Sequence, residues 1–107
     1  MPQKNLRTPQ VEDLLTVLTH MPNTDDLFNF FCDLLTFREM GEIAQRLEVA
    51  GMLNEGTSYT DIQNETGASA TTISRVSKCL NYGAGGYEQA LEILASQGEA
   101  KCSHAKQ

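Results

Sequence analysis

The sequence predicts an all-α domain of about six helices that contains a helix-turn-helix. Apolar residues recur with helical spacing along the chain, no segment alternates like a β-strand, and Pro and Gly fall between the periodic segments. A chain of 107 residues has the size of a single domain. We expect this domain to cover residues 10–96, between a flexible N-terminal arm (1–9) and a flexible tail (97–107).

The first two helices differ in how many of their sides are apolar. The first covers about residues 10–21 and is followed by Pro22. The second opens at Thr24, has acidic residues near its N-terminus, and is apolar nearly all round in the segment 27–35. One small chain can hardly cover such a helix, so the pattern favours a homodimer. A central helix in a monomeric bundle is the alternative.

A capping box predicts the start of the third helix. Thr36 and Glu39 are spaced so that each side chain can accept the other residue's backbone N–H. The helix should continue to about Asn54. Its apolar stripe consists of Phe37, Met40, Ile43, Ala44, Leu47 and Ala50.

Residues 58–81 have the pattern of a helix-turn-helix. A short helix begins at about Ser58 and turns Ile62 inward. Gly67 ends it, because a tight turn between two steeply packed helices needs a residue that tolerates positive φ. Ser69 then supplies an N-cap for the next helix.

That next helix has an apolar side and a polar, cationic side. At about 100° per residue, Ser69, Val76 and Leu80 fall near the side of Ile73, which we take to face inward. The opposite side carries Thr71, Arg75, Lys78 and Tyr82.

A glycine-rich break and one more helix complete the domain. Residues 83–86 predict a flexible break. The last helix should run from about Tyr87 to Ala95, with Leu91 and Leu94 as packing residues.

Charge gives two opposed indications about nucleic acid. The net charge of −6, from 14 acidic and 8 basic residues, argues against a general nucleic-acid binder. However, no acidic residue occurs between Thr66 and Tyr87, and Arg75 and Lys78 lie in that window. The local charge therefore fits DNA, while the overall charge supports the alternative of a protein-interaction module that keeps the fold without contacting DNA.

The polar side of the second helix of this motif has the chemistry that DNA recognition needs. Small side chains at its start can enter the major groove, where hydroxyls bond base edges and methyl groups contact thymine. Backbone N–H groups at the helix start suit phosphate. We predict base contacts from Ala70, Thr71 and Thr72, and phosphate contacts from Ser69, Ser74, Arg75 and Lys78, with double-stranded DNA as the partner. A solvated face that binds no DNA is the alternative.

Other functional classes find little support in the sequence. There is no metal-ligand cluster, phosphate-cradling loop or nucleophile–base pair, so we expect no enzyme, cofactor or metal site. The three cysteines, Cys32, Cys79 and Cys102, have no disulfide or zinc spacing and should be reduced. No apolar run approaches the roughly 18 residues of a membrane helix, and no signal peptide is apparent, so we expect no membrane partner and a cytoplasmic location.

Several motifs resemble the Trp repressor superfamily, and more closely its YerC/YecD branch. They are L-L-T-F-R-E-M at 34–40, the region of Arg46, T-G-A-S-A-T-T-I-S-R at 66–75 and L-N-Y-G-A-G-G-Y at 80–87, within residues 11–95. The last string points to the YerC-like branch. With the helix-turn-helix, we expect a transcription regulator, a repressor, with an activator as the alternative. The resemblance implies that it forms an intertwined all-α homodimer. Its two recognition helices would be about 34 Å apart on a palindromic operator.

The resemblance also indicates a site for an effector. In the Trp repressor, a Thr and two Arg side chains line the tryptophan site, and Thr36, Arg46 and Arg75 occupy the matching positions. Two guanidinium groups would suit a carboxylate. The repressor's Gly after the second Arg is Val76 here, and its Ser three residues further on is Cys79. Because the Val76 side chain would fill the space for the indole, L-tryptophan is not expected to act as a corepressor.

Arg46 has a simpler explanation as well. It could be an exposed helix charge paired with Glu42. Whether any other small molecule binds is left open by the sequence.

Overall fold

The computed structural model describes residues 6–100, with side chains described for residues 6–98. Every regular element in these ranges is an α-helix, and there are six: α1 (Pro9–His20), α2 (Thr24–Leu34), α3 (Phe37–Asn54), α4 (Tyr59–Thr66), α5 (Ala70–Tyr82) and α6 (Gly86–Ala100). The predicted all-α class with a helix-turn-helix is confirmed. The flexibility expected for residues 1–5 and 101–107 lies outside the described residues.

The chain divides into two compact units, one ending at Met40 and one beginning at Gly41. In the first unit, the Thr8 hydroxyl accepts the backbone N–H of Val11 and caps α1. The side chain of Asn23 accepts the N–H of Asp26 at 2.8 Å and caps α2. Polar residues just before each helix therefore set where it begins.

Helix α2 keeps much of its apolar surface exposed within the first unit. No residue of α1 or α2 is buried. Phe28 is 56% exposed and Leu34 47% exposed, although both are large apolar side chains. Each such side chain stabilises a fold by about 1.5–3 kcal/mol when it is fully buried. Residues 6–98 of a single chain do not supply that burial.

The predicted capping box at the start of α3 is confirmed. The backbone N–H of Thr36 donates to Glu39 Oε1 at 2.9 Å, and the N–H of Glu39 donates to Thr36 Oγ1 at 3.0 Å. The next residue, Phe37, is 97% exposed, so this member of the predicted apolar stripe is not covered within its unit.

The core of the second unit surrounds the helix-turn-helix. Its buried residues are Val49, Ala50, Ile62, Ala68, Ile73 and Val76. Met52, Leu53, Tyr87 and Leu91 pack against them. Val49 was not in the predicted stripe of α3, and it is fully buried, while Ile43 of that stripe is 45% exposed. Ala50 of the predicted stripe is fully buried in the same core, so the buried side of α3 coincides with that stripe only in part.

Helix α6 is longer than predicted and packs through different residues. It extends to Ala100 instead of ending near Ala95, since Ser, Gln and Glu continue a helix without apolar periodicity. Leu91 packs against the core as predicted. Leu94 is 51% exposed, so it is not a packing residue within the described chain, and Tyr87 takes that role.

Candidate nucleic-acid interface

Helices α4 and α5 form the predicted helix-turn-helix. The Ser58 hydroxyl accepts the backbone N–H of Asp61 at 3.1 Å and caps α4. Gly67 ends α4 with φ of 77°, and its N–H donates to the carbonyl of Gln63 at 2.9 Å. The expectation that the turn needs a left-handed residue at this position is confirmed.

Ser69 caps the second helix of the motif. Its hydroxyl accepts the N–H of Thr72 at 3.1 Å and donates to the Thr72 hydroxyl at 3.1 Å. Ser69 is exposed, whereas the helical periodicity put it near the inward side of Ile73. The reason is that Ser69 precedes the helix, with extended φ of −74° and ψ of 160°, so a helical projection does not apply to it.

Helix α5 has one buried side and one exposed side, as the sequence predicted. Ile73 and Val76 are at most 1% exposed and belong to the core. Six of the seven predicted contact residues are exposed: Ser69, Ala70, Thr71, Ser74, Arg75 and Lys78. The seventh, Thr72, is half-buried. The half-buried hydroxyl of Thr72 is hydrogen-bonded to the hydroxyl of Ser69. The more accessible residues of the first turn are therefore Ala70 and Thr71.

The exposed side of α5 is cationic and free to bind an anion. Among the described residues, the ion pair that forms is between Arg7 and Glu12, so Arg75 and Lys78 are not neutralised by a carboxylate there. No acidic residue lies on α5 itself. The first N–H groups of any helix have no intrahelical partner, and those at the start of α5 add partial positive charge. This surface therefore suits phosphate and polar base edges.

The structure brings together two of the five residues predicted for an effector pocket. Arg46 and Cys79 line a groove of about 480 Å³, together with Ile43, Leu47, Gly83, Ala84, Gly86, Tyr87 and Ala90. Arg75 is exposed and does not line this groove, and Val76 lies in the core. Thr36 belongs to the first unit, where its hydroxyl caps α3.

The alternative explanation for Arg46 does not match the geometry. Glu42 and Arg46 form no ion pair among the residues that the structure describes. Arg46 is half-buried beside the groove instead of being a fully exposed surface charge.

One contact at the motif was not predicted at all. The side-chain amide of Gln45 on α3 donates to the backbone carbonyl of Thr66 at 3.1 Å. The two residues are 21 positions apart, so no local pattern in the sequence signals the bond.

Residues 6–98 contain no cluster of His, Cys, Asp and Glu that could hold a metal ion. Cys32 and Cys79 are free and exposed, and Cys102 lies outside the described residues. No helix of the described part combines the length and apolar character required to cross a membrane.

Known proteins resemble this chain in sequence and in fold. The family model for the Trp repressor protein matches residues 9–95. YerC of Bacillus subtilis strain 168, a protein of uncharacterised function, is 47% identical over 87 residues, which cover 81% of this chain and 84% of YerC.

Two crystal structures have a similar fold. A TrpR-like protein from Eubacterium eligens ATCC 27750 is 42% identical with a TM-score of 0.81, over 86% of this chain and 95% of that one. A proposed Trp repressor from Staphylococcus aureus is 35% identical with a TM-score of 0.83, over 89% of this chain and 95% of that one.

Proposed function

The chain belongs to the Trp repressor family, in a branch with YerC, and on this premise we propose that it is a sequence-specific DNA-binding transcription regulator. Members of the family are DNA-binding regulators and not enzymes, so the chain is not an enzyme. The finer proposal is a repressor that binds a palindromic operator as a homodimer in the cytoplasm.

The exposed side of α5 is the main support for the proposal that the chain binds DNA. Thr71, Arg75 and Lys78 are exposed on the side opposite to the buried Ile73 and Val76. The cationic groups can contact phosphate, and the small side chains of the first turn can approach base edges. If this side of α5 were only in contact with water, acidic residues would be as acceptable there as basic ones, yet α5 has none.

The proposed homodimer is supported by apolar surface that the described part of one chain leaves uncovered. In the first unit, Phe28, Leu34 and Phe37 are 56%, 47% and 97% exposed. Exposed apolar side chains of this size in one short segment are typical of a protein–protein interface. Two copies would also present two α5 helices, which a palindromic operator requires.

We further propose that L-tryptophan does not control the protein. The Val76 side chain is 1% exposed and packs in the core, so the space next to Arg75 that a glycine would leave open is filled. Arg46 and Cys79 line a groove that could take a different effector.

Retardation of genomic DNA fragments at several salt concentrations tests the proposal. The wild-type chain should retard a subset of fragments, with affinity that falls steeply as salt rises. Arg75→Ala should weaken binding, and Thr71→Ala should change which fragments are preferred. No retarded fragment even at low salt would favour the protein-interaction module, which the net charge of −6 supports.

A further inference from the structure

The Gln45–Thr66 hydrogen bond joins helix α3 to the turn of the helix-turn-helix. The donor is the side-chain Nε2 of Gln45 and the acceptor is the backbone oxygen of Thr66, the last residue of α4, at 3.1 Å. Both residues are half-buried, which limits competition from water. The last carbonyls of a helix have no intrahelical donor, and Gln45 supplies one for Thr66.

Thr66 is also held by its own hydroxyl. Its Oγ1 donates to the carbonyl of Ile62 at 2.7 Å and accepts the backbone N–H of Ala68 at 3.0 Å. The end of α4 and the residue after Gly67 are therefore tied to the same side chain. The Gln45 amide therefore binds the residue whose side chain links the end of α4 to the turn that leads into α5.

The remaining contacts between α3 and the motif are less directional. Val49 and Ala50 of α3 share the apolar core with Ile62 and Ile73. Apolar packing is non-directional, so it restricts small rotations of one helix on another less than a hydrogen bond does. A hydrogen bond weakens steeply when its angle changes, and it therefore restricts those rotations.

We propose that Gln45 is a positioning residue for DNA recognition, whose side-chain amide holds the helix-turn-helix turn in the orientation from which α5 contacts base edges. This inference rests on the proposed DNA-binding function. Contacts to bases require several side chains of α5 to be aligned with base edges at the same time. Contacts to phosphate do not depend on the DNA sequence and still form when the helix is slightly rotated. Loss of the Gln45 amide should therefore reduce selective binding and leave non-selective binding unchanged.

The test compares two substitutions of Gln45 with a matched control. Gln45→Met keeps the length of the side chain and removes the donor, and Gln45→Glu keeps the shape and replaces the donor with an acceptor. Gln89→Met is the control, because Gln89 is exposed on α6 and makes no side-chain hydrogen bond among the described residues. For each full-length protein, the dissociation constant is measured for a DNA fragment selected by the wild type and for an unrelated fragment at the same salt, well below the melting temperature.

We expect both Gln45 variants to bind the selected fragment about tenfold more weakly, the effect of losing one oriented hydrogen bond, with the unrelated fragment unchanged. Gln89→Met should match the wild type on both fragments. If the ratio of the two dissociation constants in both Gln45 variants equals the wild-type ratio, the inference alone is overturned. This holds whether both constants are unchanged or both rise by the same factor. A wild-type chain that selects no fragment would overturn the proposed function, and the inference with it.

Discussion

The hydroxyl of Ser69 bonds twice to Thr72: it accepts the backbone N–H and donates to the side-chain hydroxyl, each at 3.1 Å. These bonds start α5 directly after the turn. They also use the Ser69 hydroxyl, which was predicted to contact phosphate, in the cap itself.

Ser69→Ala should therefore destabilise the protein by about 1 kcal/mol, because the N–H of Thr72 loses its acceptor. Urea unfolding at a fixed protein concentration measures this difference. Ser96→Ala, at an exposed position on α6, is the control and should stay within about 0.5 kcal/mol of the wild type. Equal stability of the Ser69→Ala and Ser96→Ala proteins would contradict the capping role.

Lys78 and Thr71 should affect DNA binding in different ways. Both are exposed on α5, but only Lys78 carries a charge that can neutralise a phosphate. Lys78→Ala should weaken binding to all fragments. It should also make the negative slope of log affinity against log salt shallower by about 1. Thr71→Ala should alter fragment preference and keep the slope. The slopes come from fluorescence anisotropy over a salt series, and an unchanged slope in Lys78→Ala would count against a phosphate contact.

L-tryptophan should neither bind nor change DNA affinity. The side chain of Val76 is 1% exposed and packs in the core, and we propose that it fills the space that the indole would need. Isothermal titration of the wild type with L-tryptophan should give only heats of dilution. Saturable binding, with DNA affinity rising in step, would show this expectation to be wrong.

Gly83 should tolerate no side chain. A Cβ at this position would overlap the backbone carbonyl oxygen of Cys79, whereas a Cβ at Gly86 would meet nothing within 4 Å. Gly83→Ala should cost about 1–3 kcal/mol of stability, the usual range for overpacking, and Gly86→Ala should be neutral or slightly stabilising. Thermal unfolding of the two variants compares them directly. A Gly83→Ala protein as stable as Gly86→Ala would mean that the close approach is not maintained in solution.

Local signals explain why the helix-turn-helix could be predicted from the sequence. Its signals all depend on neighbouring residues: the positive φ of Gly67, the cap from Ser69, and the spacing of Ile73 and Val76. The capping box of Thr36 and Glu39 is equally local.

Contacts between distant segments could not be predicted in this way. The Gln45–Thr66 bond spans 21 positions and leaves no periodic pattern. Val49 is buried beside Ala50 because the core shared with α4 and α5 extends past the predicted apolar stripe of α3. Likewise, packing against the core selects Tyr87 over Leu94 on α6, and both residues fit a helical pattern.

Selection of bound DNA from a random pool shows whether the chain recognises a particular sequence. The wild-type chain should enrich one palindromic sequence whose half-sites have centres about 10 base pairs apart, as two α5 helices in a homodimer require. Arg75→Ala, assayed in parallel, should enrich it less. Recovery of a pool with the same sequence distribution as the input, from a correctly folded wild-type protein, would contradict the claim that this chain is a sequence-specific DNA-binding regulator.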